Sequence, residues 1–300
     1  MNNKLYHWLL FIALSFIWGS SFILMKEGLN GLSPFQVASI RIITSGLVLL
    51  PIAIRYFNKI PGNKLLFIFL SGTLGSLLPA YLFCIAEQVI DSALAGVLNS
   101  LTPIFVIICG ALFFQSKTPL NKIIGIVIAF TGSALLCLAQ PGFGQHNNFA
   151  YTSLIIMATL LYGYNVNMVH RHLADIPSLH IAAIALSLNA IPAFAVLWFT
   201  GYFNHSNLSS TILWPTIFSC ILGVFGTAIA TVLFYVLLKR AGAVFASMVT
   251  YGIPIVAIFW GIIYGEKVGW LDALSLLIIL SGVYIANKKM PSFKISSINK

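Results

Sequence analysis

Long runs of apolar residues, separated by short polar segments, fill the chain from about residue 6 to residue 286. The breaks between the runs carry turn-forming residues, among them Asn30-Gly31, Pro61-Gly62 and Pro141-Gly142. Each run approaches the roughly 20 residues that a helix needs to cross a bilayer. The pattern predicts ten membrane spans, at about 6–25, 34–56, 64–86, 91–114, 120–139, 149–169, 177–199, 212–237, 242–264 and 269–286.

These spans are expected to be helices. Within hydrocarbon every backbone N–H and C=O group must be bonded inside the protein, and a helix achieves this within one segment. Barrel strands would alternate apolar and polar residues over about ten positions, and the chain shows no such alternation. Tyr6–Met25 is too long for a signal-peptide core and has no small-residue cleavage site before Lys26, so it is interpreted as the first span. The fold class is therefore an all-α polytopic membrane protein.

Composition and charge agree with this interpretation. Hydrophobic residues make up 59% of the chain and charged residues 7%, whereas a soluble domain carries about 25% charged residues. If the N-terminus is inside, thirteen of the sixteen Lys and Arg residues lie in connections on that side. The positive-inside rule then predicts a multi-pass protein of the cell membrane with both termini cytoplasmic. No basic patch interleaved with aromatics indicates nucleic acid.

One proline-containing span occurs twice. Ala93–Gly110 matches Val244–Gly261 after a shift of 151 positions, and each copy carries a proline near its middle. The identical pairs are Ala95/Ala246, Pro103/Pro254, Ile104/Ile255, Ile107/Ile258 and Gly110/Gly261. About one or two matches would arise by chance, so the pattern favours an internal repeat. By the same reasoning, Trp18–Phe22 would match Tyr162–Val166, although that match is weak on its own.

Because each half holds five spans, an odd number, the second half must enter the membrane from the opposite side. We therefore predict two inverted five-helix repeats, at residues 1–144 and 145–290, followed by a cytoplasmic tail at 291–300. Duplicated, interrupted spans are typical of transporters built from two halves.

Several short motifs follow one another in a particular order along the chain. The opening WGSSFILMKEGL at Trp18–Leu29 is followed by Pro34 and by Arg41 within SPFQVASIRIITSGLVLLP. The paired proline spans end in Phe113-Phe114 and in Tyr264-Gly265-Glu266. In this order the motifs resemble the EamA branch of the drug/metabolite transporter superfamily, and the resemblance covers nearly the whole chain.

The resemblance implies ten helices in an inverted five-plus-five repeat, with a central cavity that opens alternately to each side. It also implies a small-metabolite substrate, often an amino acid or a related compound, that is usually exported. One feature departs from the small multidrug branch, which couples protons through a glutamate in its first span. Here the first span has no acid before Glu27, which argues against that form of proton antiport.

Arg41 lies about two turns from the outer end of its predicted span, deeper than other charged residues. Such charges are costly in a bilayer and usually face the protein interior. Arg41 is therefore a candidate to bind a substrate carboxylate or to pair with Glu27, Glu87 or Asp91. The alternative is that it snorkels outward or bonds backbone carbonyls.

Further candidates lie beside the two repeated prolines, each of which frees a carbonyl one turn earlier, and on helical faces that combine aromatic and polar residues. Interhelical hydrogen bonding and helix packing are open alternatives for all of them. The predicted cavity residues are Trp18, Ser21, Arg41, Asn99, Thr102, Pro103, Tyr162, Asn165, Thr227, Thr231, Thr250, Tyr251 and Pro254. His180 and Asn189 have no partner that the sequence identifies.

The chain has no HExxH helix, GxSxG turn or phosphate loop, so we expect neither an enzyme nor a metal or cofactor site. A facilitative channel is the alternative function, although no filter-like glycine run is present. The prediction is a carrier that exports a small metabolite, an amino acid or a related amphipathic compound, by alternating access. Its partners would be this substrate and the bilayer, and it would act as a monomer or homodimer.

Overall fold

The computed structural model describes residues 3–90, 92–138, 149–204, 210–263 and 269–288, and these residues contain helices and no strand. The first five spans are formed by α1 (Asn3–Leu29), α2 (Pro34–Phe57), α3 (Gly62–Gly72) with α4 (Leu78–Ala86), α5 (Ser92–Asn99) with α6 (Thr102–Phe114), and α7 (Leu120–Leu138). The other five are formed by α8 (Phe149–His172), α9 (Ser178–Phe199), α10 (Ser210–Ile221) with α11 (Ala230–Ala241), α12 (Ala243–Ser247) with α13 (Ile253–Ile263), and α14 (Trp270–Asn287).

All ten predicted apolar segments are helical. Among the described residues, eight helical segments are long and apolar enough to cross a membrane, and two shorter apolar helices lie at Leu120–Leu136 and Ala243–Val256. Large apolar side chains such as Ile54, Leu112 and Phe149 are exposed, at 69%, 71% and 85% of their surface. Ser39, Ser100 and Asn189 are instead fully buried. Lipid is the solvent that favours this distribution, and the all-α polytopic fold class is confirmed.

Equivalent helices of the two halves pack in equivalent ways. The second and seventh spans, α2 and α9, pack along each other, as do the fifth and tenth, α7 and α14. Likewise α6 of the fourth span packs on α8, and α13 of the ninth span packs on α1. The contacts therefore repeat across the two halves.

Two glycines show this repetition in detail. A Cβ atom at Gly19 would lie 2.6 Å from Val256 Cβ, and one at Gly163 would lie 2.7 Å from Phe105 Cβ. Gly163 follows Gly19 by 144 positions, the shift of the weak Trp18–Phe22 match, and Val256 follows Phe105 by 151, the shift of the proline spans. The Gly19–Val256 contact and the Gly163–Phe105 contact are therefore equivalent, with the roles of the two halves exchanged.

Four spans are interrupted rather than continuous. The third and eighth contain π-helical turns at Thr73–Leu77 and Leu222–Ile229. In the fourth span α5 ends at Asn99 and α6 begins at Thr102, so Pro103 occupies the first turn of a new helix. The ninth span contains a 3₁₀ turn, Met248–Gly252, just before Pro254. Both prolines therefore break their spans instead of only bending them.

Candidate functional site: a cavity between the two halves

The interrupted spans meet around a cavity of ≈ 110 Å³ whose walls come from both halves of the chain. Ten of the thirteen predicted cavity residues line it: Trp18, Ser21, Arg41, Asn99, Thr102, Tyr162, Asn165, Thr227, Thr231 and Thr250. The structure therefore collects side chains that are up to about 230 positions apart in the sequence into one wall. That they contact a substrate stays a prediction.

Pro103, Tyr251 and Pro254 are not among the residues that line this cavity, and that they contact a substrate stays a prediction. Both prolines are buried at the starts of α6 and α13, where their effect is to break the helix. The fully buried Tyr251 faces away from the cavity, and its hydroxyl donates a 3.0 Å hydrogen bond to the Ile126 carbonyl of α7. The neighbouring Thr250 reaches the cavity instead.

Arg41 joins the cavity wall to the π turn of the eighth span. Its Nε donates a 2.6 Å hydrogen bond to Thr227 Oγ1, within Leu222–Ile229. Gly223 allows this approach, because a Cβ atom there would lie 2.6 Å from the Arg41 carbonyl oxygen. Among the described residues no ion pair and no hydrogen bond engages the two terminal nitrogens of Arg41.

None of the described acids forms an ion pair with Arg41. The Glu27 carboxylate accepts a 3.1 Å hydrogen bond from Asn30 Nδ2, and Asp91 lies outside the described residues. Glu87, one residue beyond the end of α4, accepts a 3.3 Å bond from Ser92 Oγ through Oε2. Its other oxygen, Oε1, is buried and has no partner among the described residues.

Burial raises the pKa of Glu87 to about 8, against the opposing effects of the Ser92 hydrogen bond and the charges of Arg41 and Lys26. The Glu87 carboxyl is therefore largely protonated at neutral pH, which explains why an unpaired Oε1 is tolerated. Glu87, a predicted partner of Arg41, is thus a buried acid close enough to feel the Arg41 charge, but the two side chains form no ion pair.

The first and sixth spans supply the aromatic and amide groups of the cavity. Trp18 Nε1 donates a 3.1 Å hydrogen bond to the Gly226 carbonyl, and Ser21 Oγ donates to the Ile17 carbonyl at 2.7 Å. The Asn165 side chain is buried, with 3% of its surface exposed. Its Oδ1 nevertheless has no hydrogen-bond partner among the described residues. An unsatisfied amide oxygen in this position is ready to accept a bond from a ligand.

Sequence reasoning missed the apolar part of the wall. Phe22 and Met25 lie four positions after Trp18 and Ser21, so helical periodicity could have identified them. The other lining residues that were not predicted are Gly75, Ser76, Phe83, Val166, Gly226, Phe234, Tyr235, Ser247 and Ile253. Apolar walls with a few polar groups are typical of small-molecule sites.

At one end of the helix bundle, two lysines form hydrogen bonds with the connection between α8 and α9. Lys64 Nζ donates to Asp175 Oδ1 at 3.2 Å and to the His172 carbonyl at 2.6 Å. Lys239 donates to the Ile176 carbonyl in the same connection between α8 and α9. The backbone of Asp175 and the Lys64 hydrogen bond hold the pKa of the Asp175 carboxyl below its usual range. The Lys64–Asp175 pair thus links the two halves at this end.

His180 and Asn189, for which the sequence offered no partner, have structural ones. The His180 ring stacks on Tyr56 with centroids 3.9 Å apart. Asn189 Nδ2 donates to the Phe69 carbonyl at 3.1 Å, next to the π turn of the third span, and Asn189 Oδ1 accepts from Thr73 Oγ1 at 2.9 Å. Across the described residues no cluster of three or more His, Cys, Asp or Glu could hold a metal ion.

The sequence is similar to membrane transporters over nearly its whole length. The model of the EamA-like transporter family matches residues 6–138 and again residues 150–288. A protein of Archaeoglobus fulgidus named "Uncharacterized transporter" is 26% identical over 285 residues, which cover 94% of this chain and 99% of the relative. The "S-adenosylmethionine/S-adenosylhomocysteine transporter" of Chlamydia muridarum is 25% identical over 285 residues, which cover 88% of this chain and 87% of the relative.

A solved structure, described as "Crystal structure of protein", has a similar fold with a TM-score of 0.71. The match covers 93% of this chain and 95% of that chain at 14% sequence identity. At this identity the likeness concerns the fold.

Proposed function

Because this chain belongs to the EamA-like transporter family, we propose that it carries a small metabolite with an anionic group, an amino acid or a related amphipathic compound, across the membrane by alternating access. The chain is a multi-pass membrane protein, and the two relatives described above are named transporters. The substrate class, the direction and the mechanism are the proposal.

The terminal nitrogens of Arg41, which bond none of the described residues, carry this proposal, because Arg41 lines the cavity. A guanidinium in an apolar surrounding is costly unless an opposite charge or several acceptors reach it. Nε is bonded to Thr227, which orients the remaining N–H groups as a fork. A carboxylate matches that fork with two parallel hydrogen bonds.

The cavity also offers a complement to a cationic or N–H group. Asn165 Oδ1 is buried, has no hydrogen-bond partner in the described part of the chain, and belongs to a side chain in the same wall as Arg41. An ammonium or amide hydrogen of the substrate would satisfy it. The rings of Trp18, Phe83 and Tyr162 supply apolar contact area beside these polar groups. An amphipathic metabolite with both kinds of polar group fits such a wall best.

Alternating access would come from motion of one half against the other. The Lys64–Asp175 pair links the two halves, and an exposed pair of this kind is weak enough to break during a transport cycle. The excess of Lys and Arg on one side favours cytoplasmic termini in the cell membrane. Export is the direction that we propose.

The first experiment compares the binding of L-amino acids with that of the amines formed by their decarboxylation. Binding to the folded protein raises the Tm, so each pair tests the carboxylate separately. We expect L-amino acids to raise the Tm of wild type and not of Arg41→Gln, and Arg41→Lys to respond weakly because it lacks the fork. Lys122→Gln, a charge change on α7 away from the cavity, is the control. Equal responses of acid and amine, or of wild type and Arg41→Gln, would contradict the assignment.

The second experiment separates a carrier from the facilitative channel. Vesicles containing the protein are preloaded with the unlabelled amino acid that gave the largest Tm increase. A carrier then speeds uptake of the labelled compound against its gradient, whereas a channel does not. Absence of counterflow together with saturable binding would favour the channel and exclude alternating access.

A further inference from the structure

A second, larger cavity lies on the outside of the helix bundle, between α2 and α9. It is a groove of ≈ 530 Å³, lined by apolar side chains such as Ile43, Leu50, Phe57 and Phe194. At the bottom of the groove α2 and α9 pack closely at Gly46, where an added Cβ atom would lie 2.7 Å from Ala190 Cβ. The groove is separate from the transport cavity, and the two share no lining residue.

The dimensions of the groove suit an acyl chain. From Ile43 to Phe57 it follows fourteen residues of α2, roughly 21 Å at the rise of an α-helix. One leaflet contributes about half of a hydrocarbon core that is ≈ 30 Å thick. The polar Ser187 in its wall uses its hydroxyl to bond the Gly46 carbonyl at 3.0 Å, so it presents no unsatisfied group. The acyl chain of a lipid in one leaflet can therefore fill roughly 15 Å of the groove, the part nearest Phe57.

Cationic side chains stand where α2 ends, at the Phe57 end of the groove. Arg55 and Lys59 flank the Tyr56 ring, with Arg55 Cζ 5.6 Å and Lys59 Nζ 5.0 Å from its centroid. Both are exposed, and neither forms an ion pair among the described residues. At this same end, the His180 ring of α9 stacks on the Tyr56 ring. Neither α2 nor α9 contains an acid that could neutralise these charges.

We propose that the α2–α9 groove binds one anionic phospholipid, whose acyl chain lies between the two helices and whose phosphate contacts Arg55 and Lys59. The lipid supplies the negative charge that α2 and α9 lack, and it fills a groove that neighbouring protein leaves open. A second copy of the chain fits less well. In a two-fold dimer within the membrane, the cationic ends of both copies would lie at the same membrane face and repel each other.

The test measures lipid binding to the delipidated full-length protein by native mass spectrometry. The probes are phosphatidylglycerol and phosphatidylcholine with identical acyl chains, and inorganic phosphate alone. Two cations near the surface predict that wild type binds phosphatidylglycerol about tenfold to thirtyfold more tightly than phosphatidylcholine. Inorganic phosphate should not bind measurably, because it lacks the acyl chain.

Two variants separate the headgroup from the acyl chain. Arg55→Gln/Lys59→Gln should lose the preference for phosphatidylglycerol, while the control Lys122→Gln/Lys288→Gln, with the same change in charge elsewhere, should keep it. Leu50→Trp, which adds bulk in the groove, should weaken binding of both lipids. Equal binding of the two lipids by wild type, the same loss in the control, or binding of phosphate alone would overturn the proposal. So would a stable dimer whose interface cross-links map to Leu50 and Ile191.

Discussion

Replacing Glu87 with Gln is expected to change how stability depends on pH. Burial raises the pKa of this carboxyl from 4.5 to about 8. Between these values the folded state binds more protons than the unfolded state, so the free energy of unfolding falls as pH rises. Glu87 therefore destabilises the protein progressively from about pH 4.5 to pH 8, and fully above that range.

The magnitude follows from the size of this pKa difference. At about 1.4 kcal/mol per pH unit, the difference between 4.5 and about 8 gives an upper limit of roughly 5 kcal/mol. Glu87 keeps part of its surface exposed, and solvent screens its charge, so we expect roughly 1.5–2.5 kcal/mol. Gln has nearly the same shape, carries no charge and can still accept the bond from Ser92 Oγ.

The assay is reversible unfolding in mixed micelles at a series of pH values between about 4 and about 9, a range that brackets the two pKa values. Glu87→Gln should flatten the decline seen for wild type and should be the more stable protein at high pH. Glu27→Gln is the matched control, because it removes an acid near the same end of the bundle whose carboxylate is bonded to exposed Asn30. If wild type and Glu87→Gln have parallel stability profiles, the inference of a buried, protonated carboxyl is refuted.

Three further predictions concern helix packing and the candidate site. Gly282→Ala would place a Cβ atom 2.4 Å from a backbone nitrogen of α7 and should cost about 1–3 kcal/mol, whereas Gly62→Ala meets nothing within 4 Å and should leave the free energy of unfolding unchanged or slightly raised. Tyr251→Phe should cost about 1 kcal/mol of stability and leave substrate-induced Tm shifts unchanged, and altered shifts would return this residue to the cavity. Asn189→Leu removes the two hydrogen bonds by which this buried amide joins α9 to the third span, so denaturation should show a loss of about 1–3 kcal/mol, and wild-type stability would show that the amide bonds contribute nothing.

Helix positions were predictable because each apolar run had to cross a membrane. The predicted second span, 34–56, and the observed α2, Pro34–Phe57, differ by one residue. Ser33 and Gln36 form a capping box there, and Pro34 occupies the first turn, so local signals agree with the hydropathy pattern. The repeat was also recoverable, since Pro103 and Pro254 break equivalent spans.

Which side chains of a span point into the cavity was less predictable, as the neighbours Thr250 and Tyr251 show. Both were expected in the cavity, yet Thr250 lines it and Tyr251 is bonded to α7. They lie in a 3₁₀ turn, Met248–Gly252, where each residue advances the helix face by a different angle than in an α-helix. The π turns of the third and eighth spans shift the phase in the same way. Helical periodicity cannot be extended across such interruptions.

The amino-acid sequence by itself determined that the protein lies in a lipid bilayer, where its apolar spans begin and end, that the spans repeat, and that one span carries an arginine well inside it. Each of these properties can be read from hydropathy, run length and residue spacing along the chain. Only the tertiary structure decided that Arg41 bonds Thr227, that Asn165 Oδ1 is left without a described partner, and that a groove opens between α2 and α9. These features depend on contacts between residues more than a hundred positions apart and on helix interruptions that reset which side of a span faces inward. Their geometry is set by helix packing, which the local sequence does not encode.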